Sequence, residues 1–486
     1  MEKTDHKTSR DDAWRVGLRE AMTARERTAI RRAEMPMLDA TYRVSCNEEV
    51  NRGLSAEQAV TEATRCLDCP DPQCVTGCPV GINIPGFIKN IQRKNFAAAA
   101  AVLKDTSALP AVCGRVCPQE KQCESRCIYT KMKKPAVAIG WLERFAADTE
   151  RLSGRRVAVA KAPARGIKVA VAGSGPAGLA FAGYMIKLGY EVTVFEALHE
   201  IGGVLKYGIP EFRLPNAVVD AELDSLRDLG VKFRKDCIIG KTLSYEDLLA
   251  EGYKAVFVAS GAGLPRFMGI PGENLIGVMS SNEYLTRINL MGAGRGGMTP
   301  VARGRRVAVI GGGNTAMDSV RTARRMGAER AMIVYRRSEA EMPARLEEVE
   351  HAKEEGVEFM TLCNPIEYRG DERGNVRSMI VQRMELGEPG PDGRRSPVAI
   401  PGAVDEIEID EVIVSVGVSP NPLIPDSIEG LDVSKRGTIV VNDNMQSSIP
   451  LIFAGGDIVR GGATVILAMG DGRRAAAAMH RYLSGE

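Results

Sequence analysis

The stretch KVAVAGSGPAGLAFAGYMIKLGYEVTVFE, Lys168–Glu196, decides the fold of this 486-residue chain. Its first residues predict a strand, a glycine-rich turn and helix follow, and a second predicted strand ends at Glu196. Such a turn lets the backbone approach a pyrophosphate at the positive end of the helix, and the acid can accept hydrogen bonds from a ribose. An ordinary strand–helix turn is the alternative. The predicted residues of this first nucleotide site are Gly173, Gly175, Pro176, Ala177, Gly178 and Glu196.

The same order of elements recurs at residues 306–338, RVAVIGGGNTAMDSVRTARRMGAERAMIVYRRS. Here the second strand, predicted at 331–335, ends on two arginines instead of an acid. Guanidinium groups suit the 2′-phosphate that distinguishes NADPH from NADH, so NADPH is the predicted ligand. Solvated surface arginines are the alternative. The predicted residues of this second site are Gly311, Gly313, Asn314, Thr315, Ala316, Arg336 and Arg337.

The C-terminal segment LIFAGGDIVRGGATVILAMGDGRRAA predicts which nucleotide each site holds. A strand at 451–454 leads to an acid, and residues 461–464 open a helix whose N–H groups can face negative charge on a flavin. Since this segment would complete the first nucleotide domain, the first site is predicted to bind FAD, with the NADPH domain inserted. The runs KAVFVASGA and EVIVSVGVSPN are then interdomain crossovers or generic buried strands. Gly456, Asp457, Ala463 and Thr464 join the predicted flavin site.

Eight of the eleven cysteines fall between residues 66 and 127. The start of the chain lacks an export signal, and cytoplasmic thiols are kept reduced, so metal chemistry is favoured over disulfides. Eight thiolates meet the ligand demand of two 4Fe-4S clusters, and Cys-Pro at a terminal ligand is typical of ferredoxin-type runs. Two zinc sites are the alternative, although only one Cys-x2-Cys pair is present. The predicted ligands are Cys66, Cys69, Cys74, Cys78, Cys113, Cys117, Cys123 and Cys127.

Hydrophobic periodicity divides the chain into a helical part and an α/β part. Residues before about 152 predict helices, at 84–103 and 136–152 and in a polar stretch at 12–34, whereas later residues alternate short apolar runs with helical patterns. The predicted fold is α/β, with two Rossmann-type domains after a helical iron–sulfur domain. The predicted boundaries are 1–45 for an N-terminal extension or interaction arm, 46–152 for the helical domain, 166–300 with 411–486 for the FAD domain, and 301–410 for the NADPH domain.

Composition excludes two other classes of protein. Sixty-four basic and 62 acidic residues give a net charge of +2, which argues against binding nucleic acid through bulk charge. No apolar run approaches the roughly 18 residues that span a membrane. We therefore expect a cytoplasmic protein without nucleic-acid or membrane partners.

Six motifs in this order resemble one known family: CGRVCPQ, VAGSGPAGLA, GGVLKYGIPEFRLP, GGGNTAMD, YRRSEAEMPAR and FAGGD. The chain resembles the NADPH-dependent glutamate synthase small (beta) subunit family from about residue 50 onward. That family includes the large subunit of NADH-dependent ferredoxin:NADP oxidoreductase and the N-terminal half of dihydropyrimidine dehydrogenase. The resemblance implies glutathione-reductase-like nucleotide domains, FAD, NADPH and two 4Fe-4S clusters.

The resemblance also implies individual site residues. Asp457 and Thr464 would contact the ribityl chain and ring edge of the flavin. Glu143 stands where relatives take a Glu or Gln as a cluster ligand, which would spare Cys113; a surface carboxylate is the alternative. The further residues expected to line the flavin are Gly202, Gly203, Leu205, Tyr207, Gly208 and Ile209.

Three functions remain open at this stage. The first is the NADPH-oxidising small subunit of glutamate synthase, delivering electrons to a large subunit in a hetero-oligomer. The second is the large subunit of an electron-bifurcating ferredoxin:NADP oxidoreductase, whose partners are a ferredoxin-reductase-like subunit and ferredoxin. The third is a non-catalytic scaffold that binds zinc and nucleotide.

Overall fold

The computed structural model describes residues 8–155, 158–293, 297–391 and 393–485. Two five-stranded parallel sheets flanked by helices follow an N-terminal helical domain, which confirms the predicted α/β fold class. Residues 156 and 157, between the predicted helical domain and the predicted FAD domain, lie outside the described residues.

The helical domain turns back on itself where one long helix was predicted. Lys94 has a φ of +61°, and the next residue, Asn95, caps a new helix by accepting a hydrogen bond from the N–H of Ala98. The predicted helix 84–103 is therefore two separate helices, and the helix predicted at 136–152 begins at Ile139. The helices of this domain are α4 (Ala56–Thr64), α5 (Gln73–Thr76), α6 (Ile84–Gln92), α7 (Phe96–Thr106), α8 (Pro110–Val116), α9 (Ile128–Lys131) and α10 (Ile139–Ser153).

The described part of the N-terminal segment, predicted as an extension or interaction arm, packs against the rest of the chain. Buried Arg15 pairs with Asp68 of the helical domain, and buried Arg43 pairs with Glu355 far along the chain. Burying an unpaired guanidinium is costly, so these partners explain how charged residues leave solvent. The extension forms three short helices, α1 (Ala13–Glu20), α2 (Ala24–Ala29) and α3 (Ala40–Arg43).

The first sheet has the strand order β15-β4-β1-β2-β3, and every neighbouring pair is parallel. The C-terminal strand pairs with β4, so the end of the chain completes this sheet as predicted. Its strands are β1 (Lys168–Ala172), β2 (Glu191–Phe195), β3 (Lys232–Arg234), β4 (Tyr253–Val258) and β15 (Ile452–Ala454). The helices packed around it are α11 (Pro176–Lys187), α12 (Val204–Tyr207), α13 (Asn216–Asp228), α14 (Tyr245–Ala250), α18 (Asp457–Arg460) and α19 (Val465–Ser484).

The second sheet, ordered β6-β13-β7-β8-β9, extends beyond the predicted boundaries of its domain. Its strands are β6 (Val278–Ser280), β7 (Arg306–Ile310), β8 (Arg330–Tyr335), β9 (Glu358–Thr361) and β13 (Glu411–Val414). The predicted NADPH-domain boundaries, 301–410, leave out two strands of this sheet: the edge strand β6 before residue 301 and the interior strand β13 after residue 410. The associated helices are α15 (Ser281–Asn289), α16 (Asn314–Arg325) and α17 (Leu346–Glu354).

A three-stranded antiparallel sheet projects from the second domain, with β10 (Cys363–Gly370), β11 (Val376–Pro389) and β12 (Arg395–Glu408). Two short strands, β5 (Leu264–Pro265) and β14 (Val418–Ser419), pair antiparallel where the chain crosses between the two nucleotide domains. Since β5 follows KAVFVASGA and β14 lies in EVIVSVGVSPN, those runs carry the crossovers. Short 3₁₀ turns lie at Gln119–Lys121, Glu124–Arg126, Glu339–Glu341 and Pro425–Ser427.

Candidate functional site: two nucleotide turns and two thiol groups

The first glycine turn lies at the carboxyl end of β1 and leads into α11. Gly173 has a φ of +109°, and a Cβ at this position would stand 2.5 Å from the carbonyl oxygen of Ala259. A Cβ at Gly175 would meet nothing within 4 Å, so that face of the turn is open. The turn thus presents free backbone and a helix N-terminus to one side, as a pyrophosphate requires.

One continuous cavity of 2150 Å³ joins this turn to its counterpart in the second domain. Its wall contains most of the predicted binding residues from both domains, so the fold brings two sites that are distant in sequence together. The predicted residues in the wall are Gly173, Gly175, Pro176, Ala177, Glu196, Gly203, Tyr207, Gly208, Ile209, Gly311, Gly313, Asn314, Thr315, Arg336, Arg337, Asp457, Ala463 and Thr464.

Some of the other predicted binding residues pack against protein atoms behind the cavity wall. A Cβ at Gly178 would lie 2.1 Å from the carbonyl oxygen of Gly173, so this glycine lets α11 approach the turn. Gly456, with a φ of +78°, packs against Ala177 in the same way. Five predicted residues do not line this cavity, and their contact with a cofactor stays a prediction: Gly178, Gly202, Leu205, Ala316 and Gly456.

Glu196 holds the first turn as well as lining the cavity. One carboxylate oxygen accepts hydrogen bonds from the backbone N–H and hydroxyl of Ser174, and the other accepts from the N–H of Leu198. The oxygen that accepts from Leu198 has one further lone pair for a ligand hydroxyl, so this bonding leaves room for the predicted ribose contact.

The C-terminal segment lies against the same end of the first sheet. Asp457 accepts a hydrogen bond of 3.1 Å from the N–H of Ala463, and burial raises the pKa of its carboxyl to about 6. Thr464 caps the 20-residue helix α19, whose N-terminus adjoins the cavity. Nearby Tyr207 is half-buried, and this burial raises its pKa to about 12. Hydroxyl, carboxyl and helix N-terminus together suit the polar parts of a flavin.

The second turn repeats this geometry at the end of β7. Gly311 has a φ of +142°, and a Cβ here would lie 2.3 Å from the carbonyl oxygen of Ser415. The side-chain oxygen of Asn314 accepts a hydrogen bond from the N–H of Arg345, which links the turn to the loop before α17. Arg336 is exposed at the cavity wall, and Arg337 is half-buried beside it. The exposure of Arg336 fits both phosphate binding and simple solvation.

The thiols form two groups, and each group combines cysteines from the earlier and the later part of the sequence. All eleven cysteines are free in the structure. In the first thiol group, burial raises the pKa of Cys74, and nearby Cys66, Cys127 and Cys69 raise it further. Cys127 therefore joins three cysteines that lie more than fifty residues earlier.

The second thiol group contains Cys78, Cys117 and Cys123. Burial raises the pKa of Cys78 to about 11, with Glu143 and Cys117 adding to the effect, and burial raises the pKa of Cys123 well above its usual range. Among the described residues, no three His, Cys, Asp or Glu side chains are arranged to hold a single metal ion. A 4Fe-4S cluster, in contrast, spreads its ligands around a cube of iron and sulfide.

Glu143 is buried beside this second group, so the interpretation of a surface carboxylate is wrong. Its side chain is 6% exposed within the helix α10, and burial raises its pKa to about 8. One of its carboxylate oxygens is buried without a hydrogen-bond partner, an expensive arrangement unless something else binds there. Cys113 also lies close to this group, because Cys117 and Glu143 both affect the pKa of its thiol, and its Sγ is 3.4 Å from the Sδ of Met469.

Sequence reasoning missed two links between the domains. Val116, next to Cys117, lines the nucleotide cavity, so the second thiol group adjoins it. Arg213 also lines the cavity and forms a buried ion pair of 2.9 Å with Asp318 on α16, which joins the two nucleotide domains. Arg213 and Asp318 belong to two separate family motifs, FRLP and NTAMD, and nothing in the spacing of these motifs indicates that they meet.

Two family models match the chain. Residues 43–155 match dihydropyrimidine dehydrogenase domain II, 4Fe-4S cluster, and residues 167–472 match pyridine nucleotide-disulphide oxidoreductase. Among the described residues, no single helix has the length and apolar character to cross a membrane; the bent pair α7 and α8 meets that test jointly, by length and composition only.

Several curated proteins are similar over most of this chain. The glutamate synthase (NADPH) small chain of Escherichia coli strain K12 is 37% identical over 443 residues, covering 90% of this chain and 93% of that protein. The NADP(+)-dependent formate dehydrogenase subunit beta of Moorella thermoacetica is 38% identical, covering 84% and 60%. The NADPH-Fe(3+) oxidoreductase subunit beta of Geobacter sulfurreducens (strain DL-1 / KN400) is 35% identical, covering 94% and 70%.

A solved structure supports the fold of the nucleotide domains. FprA of Mycobacterium tuberculosis in complex with NADPH has a TM-score of 0.56 and 20% identity, covering 66% of this chain and 85% of that one. At this identity the likeness extends to the fold alone.

Proposed function

Since the chain belongs to the glutamate synthase (NADPH) small chain family, we propose that it is the electron-delivery subunit of a glutamate synthase. The matched families make it an NADPH-dependent oxidoreductase with FAD and an iron–sulfur domain. The proposal adds two 4Fe-4S clusters and a large subunit that makes glutamate from 2-oxoglutarate and glutamine. Nothing in the sequence resembles an amidotransferase nucleophile, so glutamate formation requires that other chain.

One observation carries the proposal: a single cavity contacts both glycine turns and, through Val116, the backbone beside Cys117. When bound in this cavity, the two nucleotides would supply hydride transfer from NADPH to FAD and single-electron release from the flavin. The chain's own part is to position both nucleotides in this cavity and hold the clusters beside it. Gly175 and the N-terminus of α19 face the first nucleotide, and Gly313 and Asn314 face the second.

The thiol groups define the proposed cluster ligands. Proximity supports one cluster held by the first thiol group, which is Cys66, Cys69, Cys74 and Cys127. The buried, unpartnered oxygen of Glu143 supports a second cluster held by Glu143 and the second thiol group, which is Cys78, Cys117 and Cys123. Cys113 then serves as a packing thiol against Met469.

Matched substitutions of Glu143 and Cys113 test the ligand assignment. We expect E143A to lower the iron content from about eight to about four per chain, because the second cluster loses a ligand. C113A should keep about eight. Iron and acid-labile sulfide analysis of anaerobically reconstituted protein measures both. Loss of iron in C113A with full iron in E143A would reverse the assignment.

Charge reversal at Arg336 and Arg337 tests the NADPH site. We expect the double variant R336D/R337D to weaken NADPH binding by more than about a hundredfold, because two charge-assisted contacts to the 2′-phosphate become repulsive. NADH lacks that phosphate, so its binding should change by less than about threefold. Titration of the holoprotein with each nucleotide measures the two affinities. Equal losses would remove the 2′-phosphate assignment.

The partner is identified by isolating the native complex. Coverage of 93% of the E. coli small chain supports a glutamate synthase, whereas the other two relatives extend well beyond this chain. We expect a tagged chain, purified anaerobically from its own organism, to carry a large glutamine-amidotransferase subunit and form glutamate with NADPH. A ferredoxin-reductase-like companion would instead establish the ferredoxin-linked alternative, and colourless, iron-free protein would defeat both.

A further inference from the structure

The antiparallel sheet of the second domain brings a loop to the nucleotide cavity. The turn between β11 and β12 is closed by hydrogen bonds from the N–H of Gly390 to the carbonyl of Arg394, 2.8 Å, and from Gly393 to Gly390, 2.9 Å. This turn lies more than fifty residues after Arg337 in the sequence. Nevertheless, Arg394 lines the cavity together with Arg336 and Arg337.

A direct contact fixes the turn beside the second site. The guanidinium Nε of Arg337 donates a 2.8 Å hydrogen bond to the carbonyl oxygen of Arg395. The side chain of Arg395 turns back to its own hairpin, where it donates to the carbonyls of Gly387 and Leu386. Of the two consecutive arginines, Arg394 is therefore the one at the cavity, and the Arg337 contact holds its backbone there.

We propose that Arg394 is a specificity-determining residue that contacts the 2′-phosphate of NADPH. The inference rests on the proposed assignment of the second site to NADPH. A phosphate dianion has three strong acceptor oxygens, and guanidinium groups from two directions can hold it better than a pair on one strand end. NADH lacks this group and gains nothing from Arg394. The hairpin thereby contributes to the choice between the two dinucleotides.

The test compares NADP⁺ and NAD⁺ binding by isothermal titration calorimetry on the FAD-loaded protein. We expect R394A to weaken NADP⁺ binding about ten- to a hundredfold and to leave NAD⁺ binding within about twofold. R394Q, which keeps hydrogen-bond donors but no charge, should lose less. R373A is the matched control, because exposed Arg373 lies on the opposite turn of the same sheet and its removal changes net charge equally.

Three results separate this inference from the proposed function. Unchanged NADP⁺ affinity in R394A and R394Q, or equal losses for NADP⁺ and NAD⁺, overturns the role of Arg394. If R336D/R337D still abolishes the preference for NADP⁺ in that case, the proposed NADPH site stands. If the wild-type protein does not prefer NADP⁺ over NAD⁺, the proposed assignment of the second site to NADPH is wrong, whatever the R394A result. Should R394A not fold, R394Q carries the same comparison.

Discussion

Replacing Cys74 with alanine is expected to abolish electron delivery to an external acceptor while NADPH still reduces the flavin. Cys74 belongs to the first thiol group, and its neighbours Cys66 and Cys69 are partly exposed. The second thiol group instead adjoins the nucleotide cavity through Val116. The first group is thus the end of the proposed path farther from the nucleotide cavity. Acceptor reduction should fall by at least about a hundredfold, because the exit carrier is missing.

Anaerobic stopped-flow absorbance separates the two steps. The fall of the flavin band after mixing with NADPH should keep its wild-type rate in C74A, whereas reduction of an added one-electron acceptor protein should stop. C46A is the matched control, since Cys46 lies outside both thiol groups with its Sγ 3.8 Å from the carbonyl of Arg43. If folded C74A also lost flavin reduction, the clusters would not act downstream of the flavin.

The nucleotide turns could be predicted because their determinants are local. Gly173 and Gly311 are required by positive φ angles and by carbonyl groups that leave no space for a Cβ. The sequence motif cannot tell a glycine that faces the ligand from one that faces the protein. Gly175 opens to the cavity, whereas Gly178 accommodates the turn behind it, although both belong to one pattern.

The assignment of each cysteine to one of the two thiol groups could not be predicted, because it depends on how the helices pack in three dimensions. Cys78 follows Cys74 by four residues, yet the two belong to different groups. The chain breaks at Lys94 and Asn95 between α6 and α7, and Cys127 returns to the three earlier cysteines of the first thiol group. The spacing of the cysteines therefore indicates how many ligands there are, but not which thiol group each cysteine belongs to.

The packing of the N-terminal extension could not be predicted either, because it depends on ion pairs between residues far apart in the sequence. The charged sequence indicates an extension or interaction arm, but Arg43 is 1% exposed and pairs with Glu355, 312 positions later. Arg321 and Arg325 bind the same carboxylate, and together they hold its pKa at about 2 despite its burial. Such ion pairs are long-range, so no local pattern indicates them. The extension consequently connects the helical domain to the second nucleotide domain.

Replacing Gly175 with aspartate is expected to remove FAD without unfolding the chain. Gly175 has φ −69° and ψ 179°, a conformation open to any residue, and it is the N-cap of α11. Aspartate is among the best N-cap residues, and relative to glycine it should change apoprotein stability by only a few tenths of a kcal/mol. Its side chain would enter the open face of the turn and repel a pyrophosphate. We expect the flavin affinity to fall by more than about a hundredfold.

The serine variant separates charge from size. G175S also caps the helix but adds no charge, so we expect a smaller loss, about tenfold or less. Flavin content after reconstitution, together with the thermal midpoint of the apoprotein, measures both effects. Because the proposed electron path begins at this turn, G175D should also lose NADPH-driven acceptor reduction while its iron content stays at the wild-type level. Full flavin content in G175D would place the FAD pyrophosphate elsewhere and remove the basis for assigning the first turn.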